Sequence, residues 1–111
     1  MDDAGMQARL AALADTTRLA ILMRLRVQDQ CVCHLVEDLV LKQSVISHHV
    51  GVLRRTGLIS SYQHATDRRW LYYRLDRAAL ADVETQLAWL GSASDYLPHP
   101  RPCGADDPEE R

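Results

Sequence analysis

The stretch Gln43-Ser44-Val45-Ile46-Ser47-His48-His49-Val50, continued by Leu53-Arg54 and Gly57-Leu58-Ile59, decides how this chain folds. Val45, Ile46, Val50 and Leu53 recur at helical spacing, Ser44 can cap the start and Gly57 can stop the end. The opposite face is polar, with Ser44, Ser47 and His48 at i, i+3 and i+4. Such a face suits the major groove of DNA, where short polar side chains near a helix N-terminus meet base edges.

Working outward, Val32, Leu35, Val36 and Leu39 give a helix over about 31–40 the apolar stripe of a packed amphipathic segment. Two short helices with a tight connection make a helix-turn-helix. Upstream, Met6, Leu10 and Leu13 mark a first helix. After the capping side chains Asp15-Thr16-Thr17, the residues Leu19, Ile21, Leu22, Met23 and Leu25 mark a second. Downstream, Leu58-Ile59-Ser60-Ser61-Tyr62 and Arg69-Trp70-Leu71-Tyr72-Tyr73-Arg74-Leu75 flank His64-Ala65-Thr66-Asp67-Arg68, a β-hairpin with a basic tip. Leu80, Val83, Leu87 and Leu90 form the seam of a last helix that Gly91 ends.

The expected fold is therefore mainly α with a β-hairpin wing, a winged helix-turn-helix. Its first and last helices offer narrow apolar seams for a homodimer. Residues 1–91 form the domain, and 92–111 form a flexible, proline-rich acidic tail that carries Cys103.

The chain has 111 residues, 47% hydrophobic and 25% charged, the balance of one globular domain. A domain of this size leaves much surface unburied, so a second subunit would add core. No apolar run is long enough to span a bilayer, and the acidic start Met1-Asp2-Asp3 is unlike a secretory signal, which points to a cytoplasmic protein without a membrane partner.

The net charge of −2 hides an asymmetry. Between Lys42 and Leu75 six basic side chains face one acidic, a local +5 that leaves −7 for the rest. A polyanion such as double-stranded DNA would meet the basic segment. Lys42, Gln43, Ser44, Ser47, His48, His49, Arg54 and Arg55 on or beside the helix, with Arg68 and Arg69 on the wing, are the candidate DNA-binding residues. The basic side chains serve phosphates, and the polar helix face serves bases.

The motifs quoted above, from Gln43 to Val50, at Leu53-Arg54 and Gly57-Leu58-Ile59, and from Arg69 to Leu75, resemble the ArsR/SmtB family of winged-helix metalloregulatory repressors. The resemblance covers about residues 5–90. It implies a homodimer that binds a palindromic operator and leaves it when a metal ion or metalloid binds.

The resemblance also assigns Cys31-Val32-Cys33. A Cys-Val-Cys motif before the recognition helix marks the family's branch that senses arsenic and antimony, and a related motif occurs in cadmium and lead sensors. As(III) or Sb(III) is thus the implied effector, with Cd(II) or Pb(II) as alternatives. The arsenic pattern often adds a cysteine three residues on, where this chain has Val36, so either Cys103, the one remaining thiol, completes a set of Cys31, Cys33 and Cys103 from the tail of either subunit, or the site uses the two cysteines plus a lighter ligand. The family's other site, aspartates and histidines on the last helix, is not matched: Asp76, Asp82 and Glu84 are present, but 76–91 holds no histidine.

Three cysteines are too few for a disulfide scaffold, and soft thiolates select soft ions. On a regular helix Cys31 and Cys33 project about 200° apart. One ion can join them only by reshaping the first helical turn, and that distortion would shift the recognition helix. A helix N-terminus also favours the thiolate form.

The same spacing disfavours an intramolecular disulfide, although a repressor sensing thiol oxidation is the nearest alternative. His34 offers a nitrogen ligand, but a lone histidine on a polar helix face is expected to be solvated. A thiol-dependent reductase would place Cys-x-x-Cys in a βαβ setting, absent here, so an enzyme is not expected. A structural zinc module would need paired ligand spacing that is also lacking.

Overall fold

The computed structural model describes residues 3–100. Helices α1 (Asp3–Leu13) and α2 (Thr16–Val27) part at Asp15, whose extended backbone leaves the helical region. Its carboxylate accepts the Arg18 N–H at 2.9 Å, satisfying one of the orphan donors of the new helix. A two-residue strand, β1 (Gln30–Cys31), runs directly into α3 (Val32–Leu39). Residues 40–42 turn the chain into α4 (Gln43–Arg55), the hairpin β2 (Ile59–Gln63) and β3 (Leu71–Leu75) follows, and α5 (Arg77–Leu90) comes last.

The wing is wider than the sequence predicts. β3 pairs antiparallel with β2, Ser61 opposite Tyr73, and on its other edge with β1, Gln30 opposite Tyr73 and Cys31 opposite Tyr72. The sheet order is β1-β3-β2. Two residues are too few to show an alternating pattern, so β1 is invisible to periodicity.

One cap also differs. Lys42, not Ser44, is the N-cap of α4: the Lys42 carbonyl accepts from Val45 and Ile46 at 3.1 Å, and no side chain caps the helix. Ser44 lies exposed within the first turn.

The end of α4 is as expected. Gly57 has φ +78°, its N–H bonds the Arg54 carbonyl, and the Leu58 N–H reaches back to Leu53. This double closure is a Schellman motif, and Leu53 and Leu58, its apolar pair, are both fully buried. It sets the angle at which the chain leaves α4 for the wing.

The core joins Ile21, Leu22 and Leu25 of α2, Leu35 of α3, Ile46, Val50 and Leu53 of α4, Leu58 before the hairpin, Ile59 and Tyr73 of the hairpin, and Ala79 of α5. Leu35, the centre of the α3 stripe, is completely enclosed. Leu19 and Met23, on the predicted apolar face of α2, instead stay exposed. Among the described residues no helix is long and apolar enough to cross a membrane.

The turn between α3 and α4 carries a cost. Val40 caps α3 with φ 54°, ψ 48°, a left-handed conformation that crowds a β-branched side chain, and it is 84% exposed, so packing offers no compensation. Val40→Asn is expected to raise unfolding free energy by about 1 kcal/mol. Gly57→Ala should lower it by about 1–2 kcal/mol. Chemical denaturation of the two variants checks both signs.

Candidate functional site

Cys31 is the N-cap of α3 as well as the last residue of β1. Its backbone is extended (φ −88°, ψ 168°), so it lies outside the helix rather than in its first turn. The expected 200° separation therefore does not arise. The Cα atoms of Cys31 and Cys33 stand 5.3 Å apart, and the two sulfurs are joined in a disulfide. That corrects two expectations: the pair converges without unwinding the helix, and an intramolecular disulfide is accommodated. The physical reason is the extended N-cap residue, which turns its side chain back across the helix start.

His34 completes the arrangement. Its backbone N–H donates to Cys31 Sγ at 3.4 Å, and the Cys31 N–H donates to His34 Nδ1 at 3.3 Å. This is a capping box with cysteine and histidine in the usual places of serine and glutamate. Donor atoms of Cys31, Cys33 and His34 all lie within 4.8 Å of one another, Cys31 buried and the other two exposed. Spacing could have found His34, since Cys31-x-x-His34 matches the separation of a capping box, but cysteine is not a usual cap. Cys103 lies outside the described residues.

The position of the pair matters as much as its geometry. A cavity of about 400 Å³ touches Cys31 and Cys33 and is bounded by Gln43, the first residue of α4, and by Arg69, Trp70 and Leu71 of the wing. Both candidate DNA-reading elements thus border the cysteines. A second, polar cavity lies on the far side of His34, between Asp29, Asp38 and His64. There Tyr62 donates its hydroxyl to Asp29 at 2.6 Å, and Arg74 stacks 4.4 Å over the Tyr62 ring. The hydrogen bond to Asp29, aided by burial, holds the Tyr62 phenol above its ordinary pKa.

Of the predicted DNA contacts, Lys42, Gln43, Ser44, Ser47 and His48 are exposed along the N-terminal half of α4, with Arg54 and Arg55 exposed in its last turn. Arg68 and Arg69 are exposed on the wing. His49 is placed differently: half-buried, its Nδ1 lies 3.0 Å from Arg18 and 3.9 Å from Asp15, so it ties α4 to the start of α2. Arg69 is paired with Asp67, Nε to Oδ1 at 2.9 Å and Nη2 to Oδ2 at 2.7 Å.

The α3–α4 unit beside a basic hairpin defines the class, a winged helix-turn-helix protein, with the Cys31–Cys33 pair at the junction of these elements. Residues 15–61, from the cap of α2 to the middle of β2, match the model of the bacterial regulatory protein, arsR family. An ArsR-like transcriptional regulator from Rhodococcus superposes with a TM-score of 0.72 at 31% identity, over 79% of this chain and 80% of that one. An HTH-type transcriptional regulator of Mycobacterium tuberculosis is 37% identical over 77% of this chain and 78% of its own length. The arsenical resistance operon repressor of Escherichia coli is 39% identical over 57% of this chain and 52% of its own length, so the match spans about half of that repressor.

The chain belongs to the ArsR family. It is a transcriptional regulator with a DNA-binding helix-turn-helix, and the reductase alternative falls away with that membership.

The wing tip supplies a pH test. The bidentate Arg69 guanidinium, then the Arg69 N–H, hold the Asp67 carboxyl below the ordinary aspartate range. A depressed folded-state pKa means that the pair's contribution to order at the tip is complete above the unfolded-state value and is lost as pH falls through the folded one. Carbon-13 titration of the Asp67 carboxyl should show this lowered midpoint, and Arg69→Ala should return it upward. An unchanged midpoint in Arg69→Ala contradicts the assignment.

Proposed function

We propose that this regulator is a metal(loid)-responsive repressor that binds operator DNA as a homodimer and leaves it when As(III) or Sb(III) binds cysteine thiolates. One observation carries the reading: the convergence of Cys31, Cys33 and His34 within 4.8 Å. The donor set fits such an effector, because thiolates are the soft ligands that select soft ions. Cys103 is the further thiol assigned to the site. Cd(II) and Pb(II) are the alternative effectors, supported by the nitrogen donor His34.

In this account α4 lies in the major groove. Ser44, Ser47, His48 and Gln43 face bases, and Lys42, Arg54, Arg55, Arg68 and Arg69 neutralise phosphates. His49 acts from behind, positioning α4 against α2. The effector acts through Cys31: reduction opens the disulfide, and a ligand held between the sulfurs resets both the cap of α3 and the β1–β3 pairing. Packing of α3 on α4 and the shared cavity carry that change to Gln43 and the wing.

The homodimer is supported by the exposed apolar seam along α1 and α5, where Leu10, Leu87, Trp89 and Leu90 stay open to solvent around a small apolar cleft.

The Cys31–Cys33 disulfide favours a second reading, a repressor released by thiol oxidation. Fluorescence anisotropy of labelled operator separates the two. With a phosphine reductant present, arsenite should release the wild-type chain, and Cys31→Ser or Cys33→Ser should raise the required concentration by more than about tenfold, the lower end of what even an outer-shell partner costs a metal site. Release by peroxide together with indifference to arsenite supports the oxidation reading instead. Cys103→Ser shows whether the tail thiol belongs to the site, and sedimentation of the free chain as a monomer would contradict the dimer.

A further inference from the structure

We propose that Arg18 is a positioning residue for DNA recognition: it ties the last turn of α1 to His49 on α4, and it holds α4 in place only while His49 Nδ1 carries no proton. The inference rests on the reading above that α4 meets DNA.

One side chain makes the whole connection. Arg18 Nε donates to the Ala12 carbonyl at 2.7 Å and Nη2 to the Ala11 carbonyl at 3.3 Å. Both carbonyls belong to the last turn of α1, where the helix itself supplies no partner, and Ala12 is buried. The third nitrogen, Nη1, lies 3.0 Å from His49 Nδ1. Meanwhile the Arg18 backbone N–H bonds the carboxylate of Asp15, the cap of α2. Three helices thus meet at one residue. Leu10 of α1 belongs to the seam proposed for the homodimer, so the same tie passes the placement of that seam to α4.

Donor chemistry makes the tie conditional. A guanidinium has five N–H donors, no acceptor, and a charge it keeps at every pH a folded protein meets. The Nη1–Nδ1 contact is therefore a hydrogen bond only when Nδ1 offers its lone pair, which places the imidazole proton on Nε2. Proton uptake at Nδ1 sets two donors and two positive charges face to face across 3.0 Å. Among the described residues, the charged and titratable groups facing His49 are Arg18 and Asp15 from α2 and its cap, and His48 beside it on α4, with ring centroids 5.2 Å apart.

Asp15 Oδ2, 3.9 Å from Nδ1, is the partner to which a protonated ring turns. The Arg18 N–H, first among several causes, holds the Asp15 carboxyl below the ordinary aspartate range, so it is ionised throughout the interval in which imidazoles titrate. Protonation exchanges Arg18 for Asp15. His49 then stays attached to the start of α2, but α4 loses its link to α1.

The test uses the reduced full-length chain and a labelled duplex selected on the wild type from a random-sequence pool. Fluorescence anisotropy follows binding between about pH 7.5 and about pH 5.5, where imidazoles change charge. His49→Asn keeps an acceptor near the place of Nδ1 that takes up no proton. At the upper pH this variant should match the wild type within about twofold, and at the lower pH the wild type should bind about tenfold more weakly than the variant, the scale of one charge-assisted hydrogen bond. All other histidines are common to both chains and cancel in the comparison.

Arg18→Lys preserves the charge but not the fork. Binding should weaken about tenfold at the upper pH with an unchanged dependence on salt, because no phosphate contact is lost. Adding His49→Asn to that variant should change nothing at either pH. Nitrogen-15 shifts of the free wild type should place the His49 proton on Nε2 at the upper pH. A proton on Nδ1 there, an equal low-pH loss in the wild type and His49→Asn, or a pH gap that persists alongside Arg18→Lys overturns the inference and leaves DNA binding by α4 standing. Failure of the selection to yield any bound duplex overturns the reading of α4 itself, and this inference with it.

Discussion

The extended backbone of Cys31 is the constraint on which the site depends. One residue ends β1, caps α3 and places its sulfur against Cys33 and beside His34. Had the helix begun one turn earlier, the two sulfurs would point to opposite sides and the cysteines would be separate small core residues. The β1–β3 ladder prevents this, because pairing with Tyr72 holds Cys31 in a strand conformation. A strand of two residues thus creates the convergence of donors.

The same ladder links the candidate site to the surfaces proposed to face DNA. β3 leaves the wing through Trp70 and Leu71 and pairs with Cys31 immediately afterwards. On the other side α3 packs on α4, whose position is fixed by the Schellman closure at Gly57 and by the His49 contacts to Asp15 and Arg18. Packed elements of this kind move as units rather than deforming smoothly. A change in the bonding of Cys31 therefore has two short routes outward, one along the strand to the wing and one through α3 to the recognition helix.

Much of this was legible in the sequence, and the exceptions have physical causes. The five helices follow from apolar periodicity and from the end signals Asp15, Gly57 and Gly91, because helix burial repeats over many residues, whereas the Asp76 cap of α5 emerges only in the structure. The hairpin follows from its aromatic and β-branched runs. β1 escapes notice because two residues carry no period, and with it goes the true conformation of Cys31. Ser44 reads as a cap, yet Lys42 starts α4 and serine sits two residues inside, a boundary decided by the turn from Val40 rather than by side-chain preference. His34 reads as solvated because its partner is a cysteine in a capping role. The cysteine motif is thus legible as a candidate site, and its geometry is not.

Amide chemical-shift mapping of the reduced chain on addition of arsenite tests the central claim most directly. The account predicts the largest changes at Val32, Cys33 and His34, with linked changes at Gln43 and at Arg69, Trp70 and Leu71 on the opposite walls of the shared cavity. Changes confined to α5 or to residues beyond 91, with Gln43 and the wing unmoved, would contradict it.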